Sequence, residues 1–370
     1  MYNIQEIRQV KDLDSIQDEW DRLLESNRDG SLFLSKEWLK TWLEVYWKGR
    51  PIRFLLARDK NGLRGLAPLL VDNAGELWCP RSLTLPANPH SHTCNILGGQ
   101  DEIEVLDAFL AHLARGKSHA RVAFKHIVRS SGVATRLPEI AGQHRMCTVA
   151  RGSTNWSLVR IDGDWEDYLK SRKARVRREL RRKRKKLERA GQFEIRVVTT
   201  PEQCDYAMEQ VFHVERKSWK EREGTSLTTE PGAGGFYATL ARLCAGRGWL
   251  RIYLLYLNGR PIAHIIGVKF RNAYTALKTS YDETYEALSP GIVLFGHALQ
   301  EAFEAKLGLF DFAGHESRWK QELATHSETH LDVCAFSRGC VGCRACGFLH
   351  SVVKPTVKRL VPGRRRLIKA

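Results

Sequence analysis

The fold is decided by residues 249–325, WLRIYLLYLNGRPIAHIIGVKFRNAYTALKTSYDETYEALSPGIVLFGHALQEAFEAKLGLFDFAGHESRWKQELAT. Apolar runs in its first part predict three strands in succession, Trp249–Leu257, Ile262–Phe270 and Ala273–Tyr281. Asn258-Gly259 joins the first two, and this dipeptide readily supplies the positive φ of a tight hairpin turn. The sequence therefore predicts an antiparallel meander.

A sharply defined helix is predicted after the third strand. Ser289-Pro290-Gly291 marks its start, with Ser as the N-cap and Pro at the first helical position, and Gly308 marks its end. Leu309–Phe312 is then predicted to form a fourth strand. A strand, a helix and a strand joined this closely predict a right-handed crossover with parallel strands. A ligand of such a unit lies at the carboxyl end of the first strand, beside the helix N-terminus.

The composition predicts a folded protein with room for two domains. The chain has 370 residues, of which 43% are hydrophobic and ten are tryptophan. No run approaches the roughly 20 apolar residues of a membrane span, and MYNIQEIRQV lacks the apolar segment of a signal peptide. We therefore expect a soluble, cytoplasmic protein, whose nine cysteines are reduced thiols.

The net charge of +17 comes from two segments. Residues 170–189 carry +11 and residues 354–370 carry +7, so the rest of the chain carries −1. We predict that the first segment belongs to a helix over 164–189. Its charges form a solvated face, supply ligands for cofactor phosphates, or contact a polyanion such as RNA, anionic lipid or acidic polysaccharide. We favour a polyanion, because so many like charges repel one another without one. The basic tail suits contact with anionic membrane headgroups.

The order of predicted elements is repeated along the chain. In each half a helix precedes a hairpin with an Asn-Gly turn, and a third strand, a loop, a helix and a strand follow. This order predicts tandem copies of one α/β unit with mixed sheets. We expect an N-terminal domain over 1–152, a second domain over 153–335 that carries the active site and the basic helix, and a Cys-rich, basic tail over 336–370.

Several stretches carry a resemblance to a known family. They are SLFLSKEWLKTWLEVYW and FLLARDKNGLRGLAPLL in the first half, and SWKEREGTSL, RPIAHIIG, KTSYDETYEALSPG and FDFAGHESRWK in the second. Over about residues 10–335 the chain resembles the CelD-like and BioF-like acetyltransferases of the GNAT superfamily, relatives of the FemABX peptidyltransferases. The resemblance implies tandem GNAT-like domains in a FemABX-like arrangement. The usual Q/R-x-x-G-x-G/A pyrophosphate loop is absent, and ALSPGI stands in its place.

The resemblance also implies a function. We expect direct transfer of an acyl group from acyl-CoA to an amine or hydroxyl of a small molecule, a glycan or a lipid-linked acceptor, as in exopolysaccharide or cell-envelope synthesis. Two alternatives stay open. One is a FemABX-type transferase that uses aminoacyl-tRNA, with the basic helix holding the acceptor stem. The other is a polyanion-binding protein without catalytic activity on the same scaffold.

Direct acyl transfer needs a base for the acceptor's proton and an acid for the leaving thiolate. Tyr281, at the carboxyl end of the third strand, is the leading candidate for the acid, and the alternative is a packing tyrosine. Asp282, His264 and Glu215 are the candidate bases. Their alternatives are a turn cap, a core histidine that is already satisfied, and a position on a solvated helix face.

The predicted binding residues lie at the helix start and at the strand ends. Ser289, Pro290, Gly291 and Ile292 begin a helix whose free N–H groups and positive dipole end suit a pyrophosphate. Lys278, in a buried strand and on the same face as Ser280, requires either a partner or a phosphate. The residues expected to contact the acceptor are Trp219, Arg222, Asp311, Trp319 and Lys320.

The C-terminal cysteines are weak metal candidates. Cys340, Cys343 and Cys346 have the spacing C-x2-C-x2-C, in which thiolates three residues apart can converge on zinc or an iron–sulfur cluster. No second paired set of ligands accompanies them. We therefore expect no metal.

Overall fold

A computed structural model describes residues 2–27, 31–72, 82–116, 119–151, 154–314 and 316–337. These residues fold into two compact units. Unit 1 takes those that fall within 1–39, 49–153 and 329–370, and unit 2 takes those within 40–48 and 154–328.

The strands are β1 (Asn3–Ile7), β2 (Ile52–Asp59), β3 (Gly62–Asp72), β4 (Ser82–Thr84), β5 (Arg121–Val128), β6 (Met146–Arg151), β7 (Asn155–Arg160), β8 (Phe193–Val198), β9 (Leu250–Leu257), β10 (Arg260–Phe270), β11 (Ala273–Tyr281), β12 (Leu309–Asp311) and β13 (His326–Ser337). The α-helices are α1 (Gln17–Ser26), α2 (Lys36–Tyr46), α3 (Glu102–Gly116), α4 (Gly132–Gln143), α5 (Trp165–Ser171), α6 (Ala174–Ala190), α7 (Pro201–Glu215), α8 (Trp219–Arg222), α9 (Ala233–Gly246), α10 (Pro290–Glu304) and α11 (Arg318–Leu323).

The sheet of unit 1 has the order β1-β2-β3-β4-β5-β13, and β6 pairs with β13. β1 to β4 form an antiparallel series, whereas β5 is parallel to β4 and follows it through α3. β13 is antiparallel to β5. The core lies between this sheet and helices α3 and α4, where Leu55, Val105, Phe109 and Leu137 are buried together.

Unit 2 repeats this order as β8-β9-β10-β11-β12-β7. β8 to β11 are antiparallel neighbours, β12 is parallel to β11 and follows it through α10, and β7 is antiparallel to β12. The Asn258-Gly259 turn has positive φ at both residues, as a tight hairpin requires. The predicted meander, the predicted parallel crossover and the predicted internal repeat are confirmed.

The sheet of unit 2 is covered by helices on both faces. On one face Tyr253, Leu255 and Ile265 pack with Phe295 and Leu299 of α10. α7 and α9 cover the other face, where α7 lies against β10 and α9 against β9. Because side chains alternate along a strand, β10 and β11 present different residues to α10 and to α7.

The predicted single helix over 164–189 is interrupted. α5 ends at Ser171 and α6 begins at Ala174, and the backbone of Arg172 and Lys173 between them is extended. The Arg177 guanidinium donates hydrogen bonds to the carbonyls of Lys170 and Arg172 at 2.8 and 3.1 Å. Helix propensity alone favours continuation, but this side chain satisfies the carbonyls that the break exposes.

Within the part of the chain that the structure describes, no helix combines the length and the apolar character that a membrane span requires.

Gly267 of β10 makes room for the buried ring of Tyr274, because a Cβ at this position would overlap the Tyr274 hydroxyl and ring. We expect Gly267→Ala to lower the free energy of unfolding by about 1–3 kcal/mol, the usual cost of overpacking a core. Urea unfolding followed by tryptophan fluorescence measures this loss.

Gly296→Ala is the matched control. A Cβ at Gly296 would lie 3.7 Å from Leu180 Cδ2, an ordinary contact, and Gly296 lies inside α10. We expect this change to be neutral or to stabilise the protein by up to about 1 kcal/mol, because Ala favours a helix over Gly. Equal losses in the two variants would contradict the packing assigned to Tyr274.

Candidate active site

A glutamate and a histidine are buried together between α7 and β10. Glu215 is the last residue of α7, His264 lies in the middle of β10, and neither side chain is exposed. His264 Nε2 is 2.9 Å from Glu215 Oε1, a hydrogen-bond distance. The other carboxylate oxygen accepts a hydrogen bond of 3.0 Å from the Leu227 amide. Both oxygens of Glu215 are therefore held, and Glu215 in turn fixes the imidazole.

The charges of this pair follow from its surroundings. Burial would raise the pKa of Glu215, but the hydrogen bond with His264, the charge of Lys220 and the Leu227 amide lower it to about 2. Burial lowers the pKa of His264, against the effect of Glu215, and the cations of Lys220 and Lys278 lower it further. At neutral pH the pair consists of a carboxylate and a neutral imidazole that donates its Nε2 proton to Glu215.

The other imidazole nitrogen is open. His264 Nδ1 is buried and has no hydrogen-bond partner among the described residues. Because the proton of the neutral ring lies on Nε2, Nδ1 carries a free lone pair. A neutral imidazole held by a carboxylate on one nitrogen and open on the other has the chemistry of a general base. Sequence reasoning placed His264 and Glu215 among the candidate bases, and the structure brings them together.

Ser280 and Lys278 lie on the same face as His264. The register of β10 and β11 places Ser280 opposite His264. Ser280 is 4% exposed, and its Oγ has no hydrogen-bond partner among the described residues. Lys278 Nζ lies 3.5 Å from Glu230 Oε2 and 6.0 Å from the ring centre of Tyr237. The partner that Lys278 requires is therefore supplied by the protein.

Lys220 is a member of the site that sequence reasoning missed. Its ammonium donates a hydrogen bond to the carbonyl of Thr279 in β11. Burial lowers the pKa of Lys220 to about 8, Glu215 opposes this shift, and the cations of Lys278 and Lys320 add to it. The only signal in the sequence is its position, five residues after Glu215 and between two residues proposed to contact the acceptor.

The end of β11 forms an open edge next to Tyr281. β12 pairs with β11 only over Ala273–Thr275, so Ala276–Tyr281 has no strand partner on that side within the described residues. The Tyr281 ring faces the start of α10, where its Cδ1 is 3.7 Å from the position that a Cβ on Gly291 would take. Burial raises the pKa of Tyr281, and Glu286 and Glu283 raise it further. The phenol therefore keeps its proton at neutral pH and can donate it.

The start of α10 differs from the predicted one. Ser289 occupies the N-cap position, but its backbone is left-handed, with φ 52° and ψ 50°, and its side chain makes no capping hydrogen bond. The amides of Ile292 and Val293 donate to the Ser289 carbonyl, at 3.1 and 3.4 Å. Pro290 has no N–H, so Gly291 supplies the one amide of this turn without a hydrogen bond among the described residues. The predicted pyrophosphate site therefore offers one free backbone amide in this turn, where the sequence indicated several.

Asp282 and Arg222 have structural partners. Asp282 is buried, and its Oδ1 accepts from the amide and the hydroxyl of Thr284 at 3.0 and 2.7 Å. Lys217 Nζ lies 3.6 Å from its Oδ2. Arg222 is exposed and forms an ion pair with Glu283. The structure thus gives Asp282 the turn-capping role that was the alternative to a base.

β12 and α11 supply a second acid and a second cation. Asp311 Oδ1 accepts a 2.7 Å hydrogen bond from the Ala313 amide, and Lys320 donates to the Ala313 carbonyl. Burial raises the pKa of Asp311 to about 6, against the effects of this amide and of Lys320. Burial also lowers the pKa of Lys320 to about 8, and Asp311 opposes that shift.

The two predicted tryptophans differ in their surroundings. Trp319 is partly buried and packs against Phe295 and Phe312 at the edge of the core beneath α10, with ring centres 4.8 and 5.7 Å away. Trp219 is partly buried, and the ammonium of Lys220 lies 5.9 Å from its ring centre. The ammonium of Lys320 lies at the same distance, 5.9 Å, from the Trp319 ring centre, so burial and the lysine neighbour do not separate the two tryptophans.

The described residues hold no group of three or more His, Cys, Asp or Glu side chains arranged to bind a metal ion. Cys340, Cys343 and Cys346 lie outside the described residues, as does the basic tail over 354–370.

Residues 174–321, which hold the site from Glu215 to Lys320, match the model of the Acetyltransf_6 family, an acetyltransferase (GNAT) domain. The chain carries a GNAT acetyltransferase domain. The resemblance to the GNAT superfamily is thereby confirmed. A comparison with curated proteins found no match.

The similarity to solved structures concerns the fold, and it extends over more than nine-tenths of the chain. FemX is 10% identical, with a TM-score of 0.63 over 94% of this chain and 100% of that one. A conserved protein of unknown function from Bacteroides thetaiotaomicron is 14% identical, with a TM-score of 0.57 over 91% of this chain and 100% of that one. The predicted FemABX-like tandem fold is confirmed.

The neutral state of His264 makes the stability of the protein depend on pH. The unfolded chain binds a proton at this imidazole near its ordinary pKa of 6.5, whereas the folded chain resists it. The unfolded state therefore binds more protons, and the free energy of unfolding falls as the pH is lowered from about 7 towards about 5. We expect His264→Gln to make this slope shallower, by at most about 1.4 kcal/mol per pH unit. Urea unfolding across that pH range measures it.

His213→Gln is the control, because His213 is exposed at the end of α7. A slope that falls equally in both variants would show that the loss of any histidine from this part of the protein has the same effect. A slope that His264→Gln leaves unchanged would show that His264 is not held neutral in the folded state.

Proposed function

We propose that unit 2 transfers an acyl group from acyl-CoA directly to an amine or hydroxyl of a sugar or of a cell-envelope or exopolysaccharide precursor. The observation that carries this proposal is the buried Glu215–His264 pair, whose Nδ1 is open, inside a GNAT domain. The resemblance to CelD-like and BioF-like enzymes supports the class of acceptor.

The donor side of the proposal rests on the open edge of β11. Backbone groups of Ala276–Tyr281 on this edge can pair with the amides of an extended pantetheine arm, as an exposed strand pairs with a peptide. The free amide of Gly291 and the positive dipole end of the 15-residue helix α10 favour the pyrophosphate beyond it. Ser289-Pro290-Gly291 stays the proposed pyrophosphate site, although only one of its amides is free.

Two different residues, His264 and Tyr281, carry out the two proton transfers of the reaction. The acceptor's nucleophile attacks the thioester carbonyl and gives its proton to His264 Nδ1, and the resulting imidazolium is stabilised by Glu215. The C–S bond breaks, and Tyr281 gives its proton to the departing thiolate. Tyr281 and His264 lie on opposite faces of the sheet. A thioester that lies across the edge of β11 therefore has the base on one side and the acid on the other.

His264→Ala tests the base. We expect kcat for acyl transfer to fall by about 10²- to 10⁴-fold, the usual contribution of a general base, with acyl-CoA affinity unchanged. Thiol release from acetyl-CoA across candidate sugars and amino sugars measures kcat, and calorimetry measures CoA binding. His213→Ala is expected to keep full activity. Full activity in His264→Ala, or no binding of CoA to the unmodified protein, would contradict the proposal.

A second candidate function is favoured by the cationic face of α6. Arg178, Arg181, Arg182, Lys185, Lys186 and Arg189 recur at helical spacing and line an open groove of about 540 Å³. Arg182 pairs with Glu179, and Lys186 donates to the Ala287 carbonyl. The other four have no hydrogen bond or ion pair among the described residues, and no acid in the first turn offsets them. We propose that this face holds a phosphate backbone, as aminoacyl-tRNA would supply in a FemABX-type transferase.

Replacing Arg178, Arg181 and Lys185 by Ala tests this contact. We expect the binding of unfractionated tRNA to weaken and the slope of log K against log salt to become shallower by about 2–3, because about one counterion is released per phosphate contact. Filter binding at several salt concentrations measures the slope.

The matched control removes three exposed cations elsewhere in unit 2, Lys48, Arg260 and Lys306. An equal change in slope would show that net charge alone, and not the face of α6, controls binding. Acyl transfer that requires charged tRNA and ceases after RNase treatment would favour aminoacyl-tRNA over acyl-CoA as the donor.

A further inference from the structure

His264 and Ser280 bring two unpartnered polar atoms to one buried place. They are cross-strand partners in the register of β10 and β11, so their Cβ atoms lie roughly 4.5–5.5 Å apart on the same face. His264 is fully buried and Ser280 is 4% exposed. Neither His264 Nδ1 nor Ser280 Oγ has a hydrogen-bond partner among the described residues, so they do not bond each other.

Two buried polar atoms without partners on neighbouring strands indicate that a group of a bound molecule contacts both. Buried polar atoms are almost always hydrogen-bonded, and an unmade bond in the interior costs stability. A serine hydroxyl can rotate to satisfy a neighbouring histidine, yet these two atoms stay apart. Other buried polar atoms of unit 2 also lack partners, such as Ser157 Oγ. Ser280 differs from Ser157 because a second open atom, on the proposed base, lies across from it.

We infer that His264 Nδ1 and Ser280 Oγ together bind the reacting group of the acceptor, and that this group is an uncharged hydroxyl. Ser280 is then a positioning residue that aims the hydroxyl at the base. The inference rests on the proposed function and deepens it, because it selects O-acyl transfer.

The hydrogen-bonding capacity of the two atoms defines the class of group. Nδ1 has a lone pair and no proton, so the bound group must donate to it. Ser280 Oγ can then donate its own proton to a lone pair on the bound atom. A hydroxyl satisfies both atoms at once. A primary amine satisfies them only after it has lost a proton, because the ammonium form that predominates at neutral pH has no lone pair for the Ser280 proton.

The surrounding charges favour the same choice. Lys220 and Lys278 lie close enough to His264 to disfavour a positive charge on its ring, whereas Glu215 is already committed to Nε2 and to the Leu227 amide. Glu230 is paired with Lys278. Lys220 and Lys278 would repel an ammonium beside Nδ1, just as they disfavour a proton on Nδ1 itself. A neutral hydroxyl avoids this cost.

His264 and Ser280 are shielded from water, and they lie next to the part of β11 where the thioester is proposed to bind. Ser280 belongs to the part of β11 whose outer edge has no strand partner among the described residues, where the thioester is proposed to lie. A hydroxyl between Ser280 and His264 is therefore one strand from that edge. Exclusion of water there protects the thioester from hydrolysis.

Ser280→Ala and Ser280→Thr test the inference, with acetyl-CoA as donor and glucose and glucosamine as paired acceptors. We expect glucose to be acylated and KM for glucose to rise about tenfold in Ser280→Ala, as the loss of one hydrogen bond predicts. KM for acetyl-CoA is expected to stay unchanged. Ser280→Thr keeps a hydroxyl and is expected to restore most of the affinity for glucose.

Ser157→Ala is the matched control, because it removes another buried hydroxyl without a partner among the described residues. It is expected to leave both KM values unchanged, and urea unfolding of each variant separates binding from stability. Three results would overturn the inference: an unchanged KM for glucose in Ser280→Ala, as a pair that holds only a structural water would give; a preference for the amino group of glucosamine; or an acylated Ser280 by mass spectrometry.

The outcomes distinguish this inference from the proposed function. No CoA release from the unmodified protein with any sugar acceptor would overturn both. CoA release that depends on His264 but not on Ser280 would overturn only the inference. Release that depends on both residues, with the KM effect confined to the hydroxyl acceptor, would support both.

Discussion

The buried hydrogen bond between Glu215 and His264 is the interaction on which the rest of unit 2 depends. A carboxylate closed to water is costly unless both of its oxygens are paired. Glu215 meets this requirement with one imidazole proton and one backbone amide, from Leu227. The pair thereby joins the end of α7 to the centre of the sheet and ties down the segment that follows α8. The same requirement leaves His264 neutral and open on its other nitrogen, so the constraint that stabilises the fold also creates a base.

The architecture could be predicted because local sequence patterns determine it. Unbroken apolar runs, the Asn258-Gly259 turn and the Pro290-Gly291 helix start each depend on a few adjacent residues, and the repeated order followed from them. Side-chain alternation also placed Lys278 and Ser280 on one face correctly. Patterns failed where tertiary contacts decide. Arg177 stabilises a break in the basic helix, and Ser289, which follows a 3-10 turn over Glu283–Leu288, has a left-handed backbone conformation.

The site was less predictable than the fold, because its contacts join distant parts of the chain. Glu215 and His264 are 49 residues apart, and no local pattern links a helix end to the middle of an apolar strand. A histidine in such a strand is usually satisfied, and His264 is satisfied on one nitrogen only. Lys220 gave no signal beyond its position near Glu215, since a lysine near a helix end is ordinarily solvated. Its role follows from the Thr279 carbonyl, which the open edge of β11 leaves without a strand partner.

The cations of unit 2 fall into two groups, one on the surface of α6 and the other beside His264. On α6 they are exposed, unscreened by acids in the first turn, and suited to an extended anion. The cations that act on His264, Lys220 and Lys278, are partly buried and have acids beside them, Glu215 for Lys220 and Glu230 for Lys278. The inner cations therefore add little net charge, but they set the protonation of the groups beside them. Because an imidazole near two ammonium groups resists a proton, the base is ready at neutral pH, and the site selects against a second positive charge.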